Sequence, residues 1–188
     1  MRRADNSGPA RSSQQEGAVL RPAWRGRLSA ALRRLLGLLI PKPSLAWITP
    51  SLAQGPAPRR SQVPALARAG INSVLDLRSE AADDATLLAR HGLRYRRVPM
   101  EDRAAPDMPA LREAVDWVMA ELAADRKVLV HCRAGAGRSP LVACAVLLRM
   151  GYDLQRAYET VRRQRPEMNL ADDQAAALQE YGRSAAGA

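Results

Sequence analysis

Short apolar runs alternate with longer stretches of helical periodicity along most of this 188-residue chain. The apolar run at 127–131 is short enough for a buried strand, whereas apolar residues at helical spacing between 111 and 122 predict a helix. The same pattern predicts strands at 45–48, 51–53, 73–77 and 93–98, and helices around 63–67 and at 80–91, 140–150, 153–165 and 170–182. Strands that alternate with helices, followed by a helical C-terminal end, predict an α/β fold in which helices flank a central, mostly parallel sheet.

The polarity of the chain changes near residue 44. Residues 1–24 are polar and basic without periodicity, which is typical of disorder. Leucines recur at helical spacing between arginines in 27–40, so this stretch predicts an amphipathic helix. That helix is too short to span a bilayer; it either lies on an anionic membrane surface or packs on the rest of the protein. We therefore divide the chain into a basic tail, 1–43, and a domain, 44–188.

The net charge of +10 is concentrated in the first third of the chain. Residues 1–60 contain eleven Lys and Arg against two Asp and Glu, whereas residues 61–188 contain eighteen against seventeen. The nearly neutral domain argues against nucleic acid as a partner, because nucleic-acid binding requires a basic face. The tail is the part of the chain that suits an anionic surface.

Ten residues from His131 to Pro140, HCRAGAGRSP, carry the strongest chemical signal in the chain. They connect the predicted strand to a predicted helix, and the free N–H groups of such a loop and helix N-terminus suit an anion. Gly135 and Gly137 allow a close approach that side chains would block. Arg138 can hold two phosphate oxygens, and Cys132 stands in a setting that favours the nucleophilic thiolate.

This stretch resembles the signature loop of the cysteine-dependent protein tyrosine phosphatase superfamily, His-Cys-x5-Arg-Ser/Thr, and in particular its compact dual-specificity branch. The resemblance implies a dual-specificity-phosphatase-like fold over roughly residues 45–182. It also implies that Cys132 attacks phosphorus, that Arg138 stabilises the phosphate oxygens, and that Ser139 helps the sulfur to leave. The implied phosphate-binding residues are Arg133, Ala134, Gly135, Ala136, Gly137 and Arg138.

The resemblance further implies a general acid on a loop about thirty residues before the cysteine. Asp102, after the predicted strand 93–98, is our prediction for this acid. Asp107 competes with it but stands just before Met108-Pro109, where it suits a helix N-cap. Glu101 would point away from Asp102 if the strand continues that far. No Trp precedes Asp102 as in the Trp-Pro-Asp loop of the tyrosine-specific enzymes, which favours the dual-specificity branch.

Three further residues near the motif have expected roles. The resemblance implies that His131 orients the loop through backbone contacts rather than acting as a base. Arg133 either faces the mouth of the pocket, where it would favour an acidic substrate, or is simply solvated. Cys144 lies on the apolar helix behind the loop, so we expect a core residue rather than a redox partner of Cys132.

The resulting expectation is hydrolysis of phosphomonoesters through a cysteinyl-phosphate intermediate, without a metal or other cofactor. The resemblance implies phosphotyrosine and phosphoserine/threonine proteins as substrates, with phospholipid head groups at a membrane surface as the alternative. A phosphate-binding adaptor without turnover is a further alternative, although such proteins usually lose the cysteine, the arginine or the acid. A catalytic thiolate needs a reducing compartment, so we predict a cytoplasmic protein, with peripheral contact at the inner membrane surface if 27–40 binds lipid.

Overall fold

The computed structural model describes residues 42–186, which contain a five-stranded sheet. The predictions for 1–41, including the helix at 27–40, lie outside the described residues. The strands are β1 (Ala46–Trp47), β2 (Leu52–Pro56), β3 (Ser73–Arg78), β4 (Arg94–Met100) and β5 (Val128–Cys132). Their order is β1-β2-β5-β3-β4; β1 pairs antiparallel with β2, and the other neighbours are parallel. The predicted α/β fold with a mostly parallel sheet is therefore confirmed.

Six α-helices lie within residues 42–186, and the last three follow the sheet as predicted. They are α1 (Val63–Arg68), α2 (Ala85–Arg90), α3 (Met108–Ala123), α4 (Arg138–Arg149), α5 (Leu154–Gln164) and α6 (Asp172–Ala186). A short 3-10 turn, Arg60–Gln62, precedes α1. In this part of the chain, the helices are each too short or too polar to cross a membrane.

Side chains along β5 alternate between the two faces of the sheet. Val130 and Cys132 belong to the larger apolar cluster, which contains residues of α3, α4, α5 and α6. Leu129 belongs to the smaller cluster, which contains residues of α1 and α2. The sheet therefore has helices on both faces, and Cys132 belongs to the face that packs against α4.

Helix α4 is the centre of the larger cluster, and its residues from Arg138 to Leu147 are all buried. The sequence has no Phe, so Leu, Val and Ala fill most of this space, and Leu141 is completely buried. Truncation of a buried leucine to alanine typically costs about 2–5 kcal/mol. A helix enclosed in this way cannot shift without disturbing the core, so its N-terminus at Arg138 is a fixed point for the site.

The predicted helix at 80–91 is wrong in its first turn. Residues 80–84 form a loop, and α2 begins at Ala85 because the Asp84 carboxylate accepts a hydrogen bond from the Leu87 N–H at 2.9 Å. Glu80 and Asp83 therefore lie on a loop at the carboxyl end of β3, and not on a helix. Ligands of open parallel sheets usually bind at this edge.

Candidate active site

Cys132 ends β5, and its sulfur lies inside the loop that follows. The Gly135 N–H donates to Sγ at 3.3 Å, and the Ser139 hydroxyl lies 3.4 Å from it. The same hydroxyl lies 3.0 Å from the Gln54 Oε1 and 3.3 Å from the Gly55 carbonyl oxygen, so its single hydrogen can be directed to the sulfur or to either oxygen. The Cys132 residue is only 2% exposed. Donors that converge on a sulfur stabilise a thiolate, so this geometry suits a nucleophile.

The loop 133–137 passes tightly over the end of β2. Gly135 has a φ of +72°, and a Cβ at this residue would lie 2.6 Å from the carbonyl carbon of Gly55. A Cβ at Gly55 would in turn collide with the carbonyl oxygen of Ser44. The backbones of Ser44, Gly55 and Gly135 are therefore stacked without room for side chains, and this stacking fixes the height of the loop above the sheet.

Arg138, the first residue of α4, is a buried cation, 1% exposed, and its main partner is Glu80. The two Glu80 oxygens accept hydrogen bonds from Nη1 at 2.7 Å and from Nη2 at 2.9 Å. Nη1 also donates to the Met100 carbonyl at 3.0 Å. The hydrogen bonds from Arg138 lower the pKa of Glu80 to about 2, and hydrogen bonding to Glu80 raises the pKa of Arg138 above its ordinary value. The guanidinium is thus held in one orientation.

Asp102 lies in the turn after β4. Its Oδ1 is 3.2 Å from the Arg138 Nη2, and 57% of its side chain is exposed. The next residue, Arg103, has a φ of +59°, a left-handed conformation that is uncommon outside glycine. Asp102 is therefore both close to Arg138 and open to solvent, as a group that exchanges protons with a leaving oxygen and with water requires.

The two competing acids are placed differently. Asp107 stands at the N-cap of α3, with Pro109 in the first turn as predicted, although its carboxylate accepts no hydrogen bond from the helix. Glu101 is exposed. Among these three acids, the structure brings Asp102 to the signature loop, together with Cys132 and Arg138.

His131 forms a side-chain hydrogen bond that differs from the role expected for it. We expect backbone contacts for this residue, whereas its buried ring places Nε2 2.9 Å from the Asp83 Oδ2. Its Nδ1 lies 3.9 Å from the Asp76 Oδ1. Arg78 pairs with both carboxylates. Burial opposes the charge on Asp76, but the hydrogen bonds from Arg78 hold the pKa of this carboxyl below its ordinary value.

The donor atoms of Asp76, Asp83 and His131 lie within 4.8 Å of one another, a spacing that a metal ion could bridge. The Arg78 guanidinium, however, already pairs with both carboxylates. A cation at this place would have to displace another cation, so the cluster suits an ion-pair network better than a metal site. Its position links the loop 80–84 to the strand that carries the nucleophile.

Residues between 165 and 174 also contact the loop 133–137. Arg165 donates through Nη2 to the Ala134 carbonyl at 3.3 Å and through Nη1 to the Ser44 hydroxyl at 3.1 Å. The Asn169 N–H donates to the Ala136 carbonyl at 2.8 Å. Gln174, 1% exposed, lies against Gly137, where a Cβ would be 3.0 Å from its Oε1. Among the described atoms its Nε2 has no hydrogen-bond partner.

The other residues singled out from the sequence are four members of the loop and Cys144. Arg133 and Ala134 are exposed, and Ala136 and Gly137 are half-buried. Cys144 is buried on α4, where desolvation raises the pKa of its thiol to about 12. Such a thiol stays protonated and behaves as a small apolar residue.

Three residues around the site are not predicted from the sequence, namely Glu80, Asp83 and Gln174. Glu80 and Asp83 fall within a stretch predicted as helix, and Gln174 lies 42 positions after Cys132 on another helix. For Glu80 and Asp83, the one signal in the sequence is that they follow closely after the end of a predicted strand. Parallel strands end at a common edge of the sheet, so such residues can lie near the loop after another strand.

The family described as "Dual specificity phosphatase, catalytic domain" matches residues 52–184. Phosphatidylglycerophosphate phosphatase PTPMT2 of Arabidopsis thaliana is 28% identical over 136 residues, which cover 70% of this chain and 60% of that protein. Dual specificity protein phosphatase 5 of Rattus norvegicus is 31% identical over 120 residues, 63% of this chain and 30% of that protein. The matched part is therefore less than two thirds of either relative. The crystal structure of Tk-PTP in the active form has a TM-score of 0.71 at 28% identity, covering 75% of this chain and 97% of that one.

Proposed function

The chain belongs to the dual specificity phosphatase family, and on that premise we propose that it hydrolyses phosphomonoesters through a cysteinyl-phosphate intermediate. The phosphatase domain is 44–188 and the basic tail is 1–43. The observation that carries the proposal is the placement of the buried Cys132 sulfur, within 3.3 Å of a loop N–H and beside the buried Arg138 cation. A thiolate at that point faces the phosphorus of any phosphate that the loop holds.

In the first step, the Cys132 thiolate attacks phosphorus, an S–P bond forms and the ester P–O bond breaks. Asp102 gives its proton to the leaving oxygen, and Arg138 with the loop N–H groups stabilises the phosphate oxygens. In the second step, the Asp102 carboxylate takes a proton from water, the water oxygen attacks phosphorus, and the S–P bond breaks. The Ser139 hydroxyl, 3.4 Å from Sγ, turns its hydrogen toward the departing thiolate.

The decisive test is phosphate release from a simple aryl phosphate. Wild-type protein should turn over, and Cys132→Ser should lose turnover while it retains the fold, because only the attacking atom changes. Activity should be unaffected by a chelator. Full activity in Cys132→Ser, or activity that EDTA removes, would contradict the mechanism. An adaptor that binds phosphate without hydrolysis would show no release from the wild-type protein at all.

The primary substrates we propose are phosphotyrosine and phosphoserine/threonine proteins, in the cytoplasm, where a thiol stays reduced. Two observations favour a second candidate, the head group of an anionic phospholipid. One relative carries the name phosphatidylglycerophosphate phosphatase. Residues 1–60 also contain eleven basic residues against two acidic ones, a charge balance that suits peripheral contact with the inner membrane surface.

Phosphopeptides and anionic phospholipid vesicles should be assayed side by side, with full-length protein and with a chain that starts at Lys42. This start retains the Lys42 carbonyl, which accepts a hydrogen bond from Gln62 at 3.1 Å, and the Ser44 contacts. A lipid substrate predicts vesicle binding and lipid turnover that both fall in the shorter chain and weaken with salt. Hydrolysis of a soluble aryl phosphate should survive the truncation.

A further inference from the structure

Gln54 is a completely buried amide on β2, in contact with the Ser139 hydroxyl. It stands two positions after Leu52, so both side chains lie on the face of the sheet that packs against α4. The Gln54 Oε1 lies 3.0 Å from the Ser139 Oγ, whereas Nε2 has no hydrogen-bond partner among the described residues. Buried N–H donors without partners are costly, so an amide at this core position calls for a role beyond packing.

The Ser139 hydroxyl has one hydrogen and three acceptors around it. The Gln54 Oε1 lies at 3.0 Å, the Gly55 carbonyl oxygen at 3.3 Å and the Cys132 Sγ at 3.4 Å. The amide oxygen has the shortest of these contacts and is a better acceptor than a neutral sulfur. While Gln54 presents its oxygen, the hydroxyl hydrogen is therefore drawn away from Cys132.

A half-turn of the Gln54 amide reverses this competition. Oxygen and nitrogen exchange places, so that an N–H donates to the Ser139 Oγ and the hydroxyl hydrogen is released to another acceptor. The first orientation leaves both N–H groups of the amide unpaired, and the second leaves one N–H and the oxygen unpaired. Because the number of unpaired groups is the same, the charge on the Cys132 sulfur decides between the two orientations.

On the premise of the proposed function, we propose that Gln54 is a positioning residue of the second chemical step, in which its amide N–H directs the Ser139 hydroxyl to the leaving sulfur. While sulfur is bonded to phosphorus it is neutral, and the hydroxyl donates to the Gln54 oxygen. When the S–P bond breaks, its electron pair passes to sulfur, and a charged acceptor forms the stronger hydrogen bond. The amide then turns, and the hydroxyl hydrogen points to Sγ without leaving its own oxygen.

Removal of the Gln54 amide should slow the second step and spare the first. Without the amide, the Ser139 hydrogen is shared between the Gly55 carbonyl and Sγ, which lie at nearly equal distances. In Gln54→Met and Gln54→Leu, breakdown of the cysteinyl phosphate should therefore slow by about 2- to 10-fold, the effect of one net hydrogen bond. The first step should not slow, because sulfur loses negative charge in it.

A rapid-quench pulse and chase of full-length protein with a radiolabelled aryl phosphate measures the breakdown directly, as the loss of protein-bound phosphate. The value of kcat/KM for the same substrate reports the first step. Leu52→Met is the matched control, because it changes a buried side chain on the same face of β2 without a hydrogen bond to Ser139. It should leave both quantities unchanged.

A double variant tests whether Gln54 acts through Ser139. Ser139→Ala should slow breakdown by itself, and Gln54→Met added to it should cause no further loss. An unchanged breakdown rate in both Gln54 variants would overturn the proposal. So would an equal fall in kcat/KM, or a Gln54→Met effect that persists in full beside Ser139→Ala, because Gln54 would then act on the loop itself. The proposed function fails by a different result, the absence of protein-bound phosphate and of phosphate release in wild-type protein.

Discussion

Glu80 and Arg138 are joined by two hydrogen bonds, at 2.7 and 2.9 Å, although 58 residues separate them along the chain. The pKa of Glu80 falls from its ordinary 4.5 to about 2 in the folded protein. Folding therefore favours the charged form. The contribution of this carboxylate to stability is fully present above about pH 4.5 and is lost as the pH falls toward 2.

The first prediction concerns this pH window. The free energy of unfolding of wild-type protein should exceed that of Glu80→Gln at about pH 6. This difference should shrink as the pH is lowered to about 3. Urea unfolding of both proteins at each pH measures it. Glu101→Gln, which removes an exposed acid of the neighbouring loop, is the matched control and should show no such trend. A difference independent of pH over this range would contradict the pairing.

The second prediction concerns the acid. Asp102→Asn should slow hydrolysis by about 10²–10⁴-fold, the usual contribution of a positioned proton donor. The loss should be smaller for aryl phosphates with good leaving groups, which need little protonation. Asp107→Asn is the matched change and should be mild, because the Asp107 carboxylate makes no hydrogen bond to α3. Steady-state rates with two aryl phosphates of different leaving group measure these effects. If Asp107→Asn loses activity and Asp102→Asn keeps it, Asp107 and not Asp102 is the general acid.

The third prediction separates backbone strain from steric collision. Gly135 and Gly151 have φ values of +72° and +91°, but a Cβ at Gly151 would meet nothing within 4 Å. Gly151→Ala should cost only the backbone strain, about 1–2 kcal/mol, and leave activity intact. Gly135→Ala should cost more and abolish activity, because a Cβ there would push the loop off Gly55. Chemical unfolding and aryl phosphate turnover of both variants test this, and equal behaviour would refute it.

The fourth prediction concerns the two thiols. The Cys144 thiol, with a pKa of about 12 and a buried position, should not react with iodoacetamide at about pH 8 while the protein is folded. Cys132 should react, because its sulfur is the proposed nucleophile and lies within the loop that a substrate must enter, 3.3 Å from the Gly135 N–H. Mass spectrometry should therefore find one modification per folded wild-type chain and none in Cys132→Ser. Modification of Cys144 in the folded protein would contradict the prediction that its thiol is buried and unreactive.

The signature loop could be predicted because its chemistry is local. Cys132, Gly135, Arg138 and Ser139 occur within eight residues, and the flanking apolar runs identify the strand and the helix. The strand and helix pattern also predicts the sheet, because alternating elements leave few ways to bury their apolar faces. Local spacing thus accounts for the anion-binding part of the candidate site.

The partners of the loop could not be predicted in the same way. Glu80 and Asp83 lie in a stretch whose composition suits a helix, and only the capping hydrogen bond of Asp84 delays that helix to Ala85. Gln174 reaches Gly137 only because α6 packs on α4. Such contacts depend on tertiary packing between separate elements, and no periodicity along the chain records them.

Ser44 and Gly182 lie near opposite ends of helix α4. Ser44 is bonded to Arg165, which also holds the Ala134 carbonyl of the catalytic loop. Helix α6 begins beside Gly137, and its Gly182 lies against Leu148, about 16 Å further along α4 at 1.5 Å per residue. A label attached at Ser44 would therefore sit beside the catalytic loop, whereas one attached near Gly182 would lie toward the far end of α4.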